Sequence, residues 1–559
     1  MKNNKKAILY TSASLNGAWL LITIDIALWL HKENGFNKIS ISCISNYNPL
    51  NFFSLILRLK NISSYLTKSK IKKISKLTKS PKSLIASNSE LASFAVGKLD
   101  HANLMIGDLK IEFVRIRLNK KKIHLSSISI IYQVISDYLN FFKVKALKRK
   151  AYLNYKVSNI YAGLNILSEA LRSDYKSYGS IFHSRLGILN ALYKLLISTE
   201  EYKSIIFPKD TTSFVVGPAQ TYIYGFFSRF MSDKGALFID TTDPQNPFIK
   251  RELKDKYYSN IITYKKNKKI SHTYYKKTTE YYKNRIKKPW EAFDYMNHLR
   301  KKNNYNKNLH FDGVSVVVYL HSFTDAQYFY GYDGYDDLMD WSFRTIFLLN
   351  SNKYISRVLV KPHPGINPIY HPGDAIANKY LKSLISNFNK VQWIDFHLNV
   401  EHINTSGQVI GITHHGSIAE ELVFNKYPVI ASTYAPWGIE YKFGYFWSDH
   451  RKYESLISSQ AITEILVTKS HTEELYRYAI HKRSNLNSTN GFEIEQSWKD
   501  MMQIYGIKSS YEHGEDMENI NHLISMLDTD DKKFQDYIVT RLNSINSLNV
   551  NMSYLSKRN

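Results

Sequence analysis

Two stretches of this chain set chemically capable side chains at abrupt strand ends: Val358-Leu-Val-Lys-Pro-His-Pro-Gly365 and Gly411-Ile-Thr-His-His-Gly-Ser-Ile-Ala-Glu-Glu421. In the first, Pro362 and Pro364 stiffen the backbone around His363 and leave Lys361 close to its imidazole. Both side chains can donate to oxyanions, so the loop suits a phosphate, and above all a phosphate that leaves during a reaction. In the second, His414, His415, Gly416 and Ser417 form a turn before a helical pattern that opens at Ile418. Ser417 and Glu420 fit the S-x-x-E capping box, in which the serine accepts from the third helical amide and the glutamate reaches back to the cap. The box leaves the two histidines, the glycine and Glu421 unexplained. Free amides at a helix start attract phosphate, and a carboxylate just beyond them can accept from ribose hydroxyls. Together the two stretches predict one site for a nucleoside mono- or diphosphate.

These residues need a scaffold that brings them to one edge. Val314-Ser-Val-Val-Val-Tyr-Leu320 is a continuous apolar run of the kind buried in a parallel sheet, and it ends at His321-Ser-Phe-Thr-Asp-Ala326. A helix is predicted over 335–349, with strands at 357–360, 390–395, 408–412 and 427–431, so that 310–470 alternate strand and helix. Such sheets bind ligands at their carboxyl edge. Upstream, strands at 7–10, 38–43, 205–207, 213–216 and 236–239, with helices at 18–30 and 221–231, predict a first α/β unit without a G-x-G-x-x-G fingerprint. Residues 155–172 read as helical after a loop at Gly163, and 257–308 as a helical connection. The expected division is 1–300, 310–480 and a helical tail over 481–559.

Composition narrows the partners. The 559 residues hold 75 Lys plus Arg against 48 Asp plus Glu, a formal charge of +27. Basic helical stretches at 53–82 and 120–150 suit an anionic membrane surface or a charged acceptor, although a Lys-, Asn- and Tyr-rich composition accounts for part of the excess. No RNP, zinc-finger or helix-turn-helix pattern is present, so a nucleic-acid partner is not expected. Cys43 is the one cysteine, which excludes an internal disulfide, and no Cys/His cluster has metal-ligand spacing. Asp25 interrupts the apolar stretch that follows the N-terminal lysines, and no segment offers the roughly 20 uncharged apolar residues of a membrane span. The expectation is a cytoplasmic protein, soluble or peripheral on the inner face of the membrane.

His321-Ser-Phe-Thr-Asp-Ala326, Lys361-Pro-His-Pro364 and Thr413 to Ile430, in this order, resemble the C-terminal half of bacterial capsule and surface-polysaccharide glycosyltransferases of the GT-B type. That group is related to the capsule β-Kdo transferases and, through the H-P motif, to bacterial sialyltransferases. The resemblance covers about 150–440 and is strong in these motifs alone. It implies an α/β fold of two Rossmann-like domains facing a cleft, here with extra basic helices in the N-terminal one. It further implies a nucleotide-sugar donor as substrate, a polysaccharide or glycolipid acceptor, and no metal or other cofactor. His363 and Ser417 then meet the donor phosphate, with Ser322, Lys361, Pro364, His414, His415 and Gly416 around it. Glu420 or Glu421 holds the ribose, while His321 and Asp325 shape the pocket. Sialyltransferase relatives place an acidic pair followed by glycine in the N-terminal domain, and this chain has no clear counterpart; Asp333-Gly334 lies in the other domain. Glu169, Asp174, Asp240 and Asp243 are therefore all candidate bases, and Asp325 joins His363, Glu169 and Asp240 as a candidate catalytic group. Transfer of a polyol phosphate, or a non-catalytic scaffold of the capsule machinery, are the alternative readings.

Overall fold

The computed structural model describes residues 5–11, most of 23–44, 101–106, 109–116, 132–136, 153–173, 185–217, 223–240, 248–250, 272–287, most of 309–364, 372–394 and most of 400–483. The first part is built on β1 (Lys5–Thr11), β2 (Phe36–Ile44), β3 (His101–Ile106) and β4 (Leu109–Ile116). A small hairpin of β5 (Lys156–Val157) and β6 (Ile160–Tyr161) leads into α1 (Gly163–Ser173) and α2 (Arg185–Lys203). The chain then returns through β7 (Thr212–Gly217), α3 (Ile223–Asp233), β8 (Leu237–Asp240) and β9 (Phe248–Lys250). The sheet order is β3-β4-β2-β1-β7-β8-β9, with antiparallel pairs only at its two edges.

The second part opens with α4 (His272–Lys287) and β10 (Leu309–Phe311), then β11 (Val314–Tyr319), α5 (Leu338–Ser351), β12 (Arg357–Lys361), α6 (Pro372–Leu384) and β13 (Val391–Trp393). It continues through β14 (Ile403–Thr405), β15 (Gln408–Thr413), α7 (Ile418–Phe424), β16 (Val429–Ser432), β17 (Tyr445–Trp447), α8 (His450–Ser458) and α9 (Lys469–Arg483). Its six-stranded sheet runs β13-β12-β11-β15-β16-β17, parallel throughout. Counted along the chain from β11 that order is 3-2-1-4-5-6, so strand order reverses between β11 and β15. Alternation along β11 explains its unbroken apolar run. Val316, Val318 and Leu320 enter one core with α5, while Val317 and Tyr319 enter the other with α4, α7 and α9.

Several expectations differ from what is found. Ile205 to Phe207 is not a strand, because its carbonyls are taken by side chains: Tyr10 Oη donates to Ile206 O, and Lys234 Nζ donates to Ile205 O. Of the stretch read as helix over 155–172, residues 156–161 form the β5/β6 hairpin, and helix starts only at Gly163. The β3/β4 hairpin and β17 were not expected. The basic stretch at 53–82, most of that at 120–150, and the tail beyond Arg483 lie outside the described residues. No helix among the described residues is long and apolar enough to cross a membrane.

Helix α4, inside the span assigned to the first domain, is packed into the second. Tyr282 and Ile286 are buried in the core beneath α7 and α9. Arg285, whose side chain is 2% exposed, donates through Nε to Glu421 Oε1 at 2.8 Å and lies 3.8 Å from Glu420 Oε2. Its Nη2 reaches the Ser417 carbonyl at 3.3 Å. A buried guanidinium removed from two carboxylates leaves charge without a partner. Arg285→Met is therefore expected to destabilise the second domain by about 3 kcal/mol, read as a lower denaturant midpoint in equilibrium unfolding. An unchanged midpoint would show that α4 is held by its tyrosines alone.

Candidate functional site

Register places the site. In β11, Tyr319 pairs with Lys361 of β12 on one side and Thr413 of β15 on the other. The residues that follow each strand, His321, His363 and His414-His415, therefore leave the sheet at the same carboxyl edge, on either side of the point where strand order reverses. The Leu320 amide donates to the Lys361 carbonyl at 2.8 Å, and the Ser432 amide to the His414 carbonyl at 2.8 Å, so the ladder extends past the strand ends.

Three imidazoles lie together there. His321 and His415 stack with ring centroids 4.0 Å apart, and His414 stands edge-on to His415 at 5.0 Å. The backbone N–H of His415 donates to His321 Nε2 at 3.2 Å, which fixes that nitrogen as an acceptor and puts the His321 proton on Nδ1. Thr413 Oγ1, 3.1 Å from the same nitrogen, is then a second donor. His414 is buried between Trp341 and Trp447 and bonds on both sides, Nε2 to Asp333 Oδ2 and Nδ1 to His415 Nδ1 at 2.8 Å. Burial, followed by the charges of the neighbouring imidazoles, His363 among them, holds His321 and His415 well below the usual histidine range. At neutral pH both rings are uncharged. Gly416 permits this closeness, since a Cβ there would meet Thr413 Oγ1 at 2.7 Å and the His321 ring at 3.2 Å.

The capping box expected at Ser417 and Glu420 is not formed. Ser417 itself has helical dihedrals (φ −61°, ψ −11°) and makes no side-chain cap bond, whereas a capping serine needs extended backbone. The amides of Ala419 and Glu420 bond back to the carbonyls of Gly416 and Ser417 at 3.0 and 3.1 Å, so they are not open to an anion. Glu420 has better partners than the cap: Lys482 Nζ at 3.1 Å and Tyr282 Oη at 2.9 Å. Burial works to raise its pKa, but Lys482 and Arg285 outweigh burial and hold it below the usual carboxylate range. Glu421 has Arg285 alone, and there burial wins and raises it. The Glu421 side chain is 17% exposed against 3% for Glu420.

The remaining candidates are placed as follows. Ser322 Oγ donates to Asp374 Oδ2 at 2.6 Å, and the Thr324 amide to Asp374 Oδ1 at 3.0 Å, so a buried carboxylate on α6 pins the loop after β11. Asp374 and Asp333 were both missed as site residues. Asp333 sits in a Tyr-Gly-Tyr-Asp-Gly run, a glycine-flanked acid whose only signal was that turn. Lys361 is buried at the end of β12, with Nζ donating to the Pro362 carbonyl at 2.9 Å. His363 and Pro364 follow it, half-buried. Glu169 is in the first part, on α1, ion-paired to Lys194 at 2.8 Å. Asp240 ends β8, its backbone in register with Gly217. Asp174, Asp243 and Asp325 lie outside the described residues. No group of three or more His, Cys, Asp or Glu among the described residues is arranged to hold a metal ion.

No protein-family model and no curated protein matches the sequence. Solved structures with a loose likeness include a UDP-forming α,α-trehalose-phosphate synthase from Burkholderia vietnamiensis, at 8% identity over 89% of this chain and 99% of that one, TM-score 0.30. Another, from E. coli, is trehalose-6-phosphate bound with UDP-2-fluoro glucose, at 9% identity over 90% and 99%, TM-score 0.29. A glycosyltransferase from Rickettsia africae gives 12% identity over 88% and 99%, TM-score 0.27. Superpositions this loose say nothing of the site's chemistry.

The half-buried neutral histidines set a pH response. An unfolded histidine titrates near 6.5, whereas His321 and His415 do so well below that in the folded chain. Between those values the unfolded chain binds more protons, so their contribution is whole above about pH 6.5 and is lost as the pH falls. The melting temperature is expected to drop between about pH 7 and pH 5.5, and to drop less in His415→Gln. Identical slopes in the two proteins would show that His415 is not held neutral by the fold.

Proposed function

We propose that this chain is a metal-independent GT-B glycosyltransferase, moving a sugar from a nucleotide-sugar donor to a growing capsule or other cell-surface polysaccharide. One observation carries the reading. The carboxyl ends of β11, β12 and β15, flanking the reversal point of a Rossmann-ordered sheet, bring His321, His363 and His415 to one place. Imidazole N–H groups at such an edge meet the oxyanion of a departing nucleotide, where donors placed in advance act most strongly. His363 and Lys361 serve that phosphate, with Ser417 and Gly416 beside it. Glu421 takes the ribose, since Glu420 is already filled by Lys482 and Tyr282. Of the candidate bases, Asp240 is assigned to the acceptor hydroxyl. It ends a strand at the carboxyl edge of the first sheet, whereas the Glu169 carboxylate is occupied by Lys194. The polysaccharide or glycolipid acceptor is met at the anionic inner face of the cytoplasmic membrane, which the charge of +27 favours.

A thermal-shift screen against CMP, CDP, UDP, UMP, GDP and ADP tests the donor reading, because a ligand bound only by the folded chain raises its melting temperature. CMP alone would indicate a Kdo- or sialic-acid-type donor, UDP or GDP a hexose, and CDP a polyol phosphate; silence from all six removes the reading. With the donor known, His363→Ala is expected to lower kcat by about 100-fold or more without moving the melting temperature, and EDTA to leave turnover unchanged. Equal kcat in the variant removes His363 from the chemistry.

A further inference from the structure

The segment Phe329 to Tyr335 joins the two parts of the molecule. Phe329 is buried in the core of the first part, with Tyr330 and Tyr332 packed against that core. Four residues after Phe329, Asp333 is buried and turned the other way, onto His414. The Tyr335 amide donates to Asp333 Oδ1 at 2.9 Å and holds the carboxylate still, while Oδ2 receives His414 Nε2. Gly334 (φ +108°) makes the turn possible, for a side chain there would run into His450. Tyr330 meanwhile lies edge-on to His415, with centroids 5.8 Å apart. One short segment thus touches both members of the His414-His415 pair.

We propose that Asp333 is a positioning residue that sets the protons of the His414-His415 pair, so that anion binding draws in one proton and turns His415 Nε2 from an acceptor into a donor. The inference rests on the nucleotide-donor reading above.

The proton count follows from the bonds. A carboxylate accepts, so Asp333 requires a proton on His414 Nε2. In the proposed ligand-free state each ring holds one proton, so that His414 Nδ1 carries a lone pair and the 2.8 Å contact puts the His415 proton on Nδ1. His415 Nε2 is left bare. It takes no hydrogen bond from the described residues, and its ring is only half-buried. A bare nitrogen repels phosphate oxygen. When one solvent proton binds at Nε2, the Nδ1 proton of His415 passes to His414 Nδ1. His415 stays neutral and now donates through Nε2, and His414 becomes an imidazolium against the Asp333 carboxylate. Two ring protons have become three, and the added charge is matched within the pair. Burial and the nearby imidazoles disfavour a charge on His415 itself, and the Asp333 carboxylate stands against His414. The other titratable groups facing the pair are His321, His363 and Tyr330, and Tyr335 and Tyr434 lie near Asp333.

The test uses the full chain labelled with 15N-histidine, the His414 and His415 signals being assigned from His414→Gln and His415→Gln. At pH 8 without ligand, His415 is expected as the Nδ1–H tautomer and His414 as Nε2–H, with both patterns lost in Asp333→Asn. Calorimetric titration with UDP, CMP and GDP at pH 8, in two buffers of different ionisation enthalpy, should show close to one proton taken up per nucleotide bound. In D333N the uptake should vanish and binding weaken roughly tenfold, the difference between a charge-assisted and a neutral hydrogen bond. The wild-type measurements carry the test even if D333N does not fold. His415 found as Nε2–H, or tautomers unchanged in D333N, overturns the role of Asp333. Nucleotide binding without proton uptake overturns the relay and leaves the donor reading standing, whereas silence from all six nucleotides of the thermal-shift screen overturns both.

Discussion

Everything at the candidate site depends on the register of β11 between β12 and β15. Its two faces are both apolar, so hydrophobic burial alone does not choose between registers as it does in a half-exposed strand. The ends make the choice. At the start of the strands, the Gln408 amide donates to the Gly313 carbonyl at 2.9 Å and the Ser356 amide to the Val314 carbonyl at 2.8 Å. Gly313 has φ +67°, and a Cβ on Gly407 would collide with the Gly313 backbone, so this junction closes only with glycine at both positions. At the far end, Leu320 continues the ladder to Lys361. A slip of one residue shifts a strand by about 3.3 Å, enough to break the Thr413 and His415 bonds that fix the tautomer of His321.

The second constraint is electrostatic. Arg285, Glu420, Glu421, Tyr282 and Lys482 form a largely dry network where α4 and α9 meet α7. Burying such charges does not by itself stabilise a fold. Its effect here is positional: α7 has seven residues and forms no capping box, and Arg285 ties its carboxylates and the Ser417 carbonyl to a helix sixteen residues long. The two glutamates end in opposite states because their partners differ. Glu420 shares two cations and a phenol, whereas Glu421 shares one guanidinium and keeps a more open side chain. Adjacent carboxylates on one helix thereby become a structural acid and an available one.

The strands β11, β12, β15 and β16 were legible because each is a short run rich in Val and Ile that ends near His, Pro or Thr, whereas β17, Tyr445–Trp447, has no such pattern. Strand ends alone also indicated that His321, His363 and His414-His415 share an edge. Pairings were not legible. Ser-x-x-Glu at 417–420 satisfies the capping pattern as written, yet Lys482 and Arg285, sixty or more residues away along the chain in either direction, compete for Glu420 and win. Ile205 to Phe207 has strand composition, but Lys234 and Tyr10 take its carbonyls from outside any local window. Asp333 and Asp374 were missed for the same reason. Neither lies in a motif, and each acquires its role from a partner 81 or 52 residues distant.

Among the described residues, the three strand ends of the candidate site carry more imidazoles than fixed cations. The edge is built largely from imidazoles, which cross into burial neutral where a lysine or arginine would need a permanent partner. Lys361, the cation nearest in register, is buried with its ammonium turned onto the Pro362 carbonyl. Neutral rings tolerate an empty site, whereas clustered fixed cations would repel one another across the few ångströms that separate His321 from His415. An arriving anion changes that balance, since it stabilises added protons on the same nitrogens. Histidine is the side chain whose charge can follow an anion's arrival near neutral pH, and that suits an edge built largely from imidazoles.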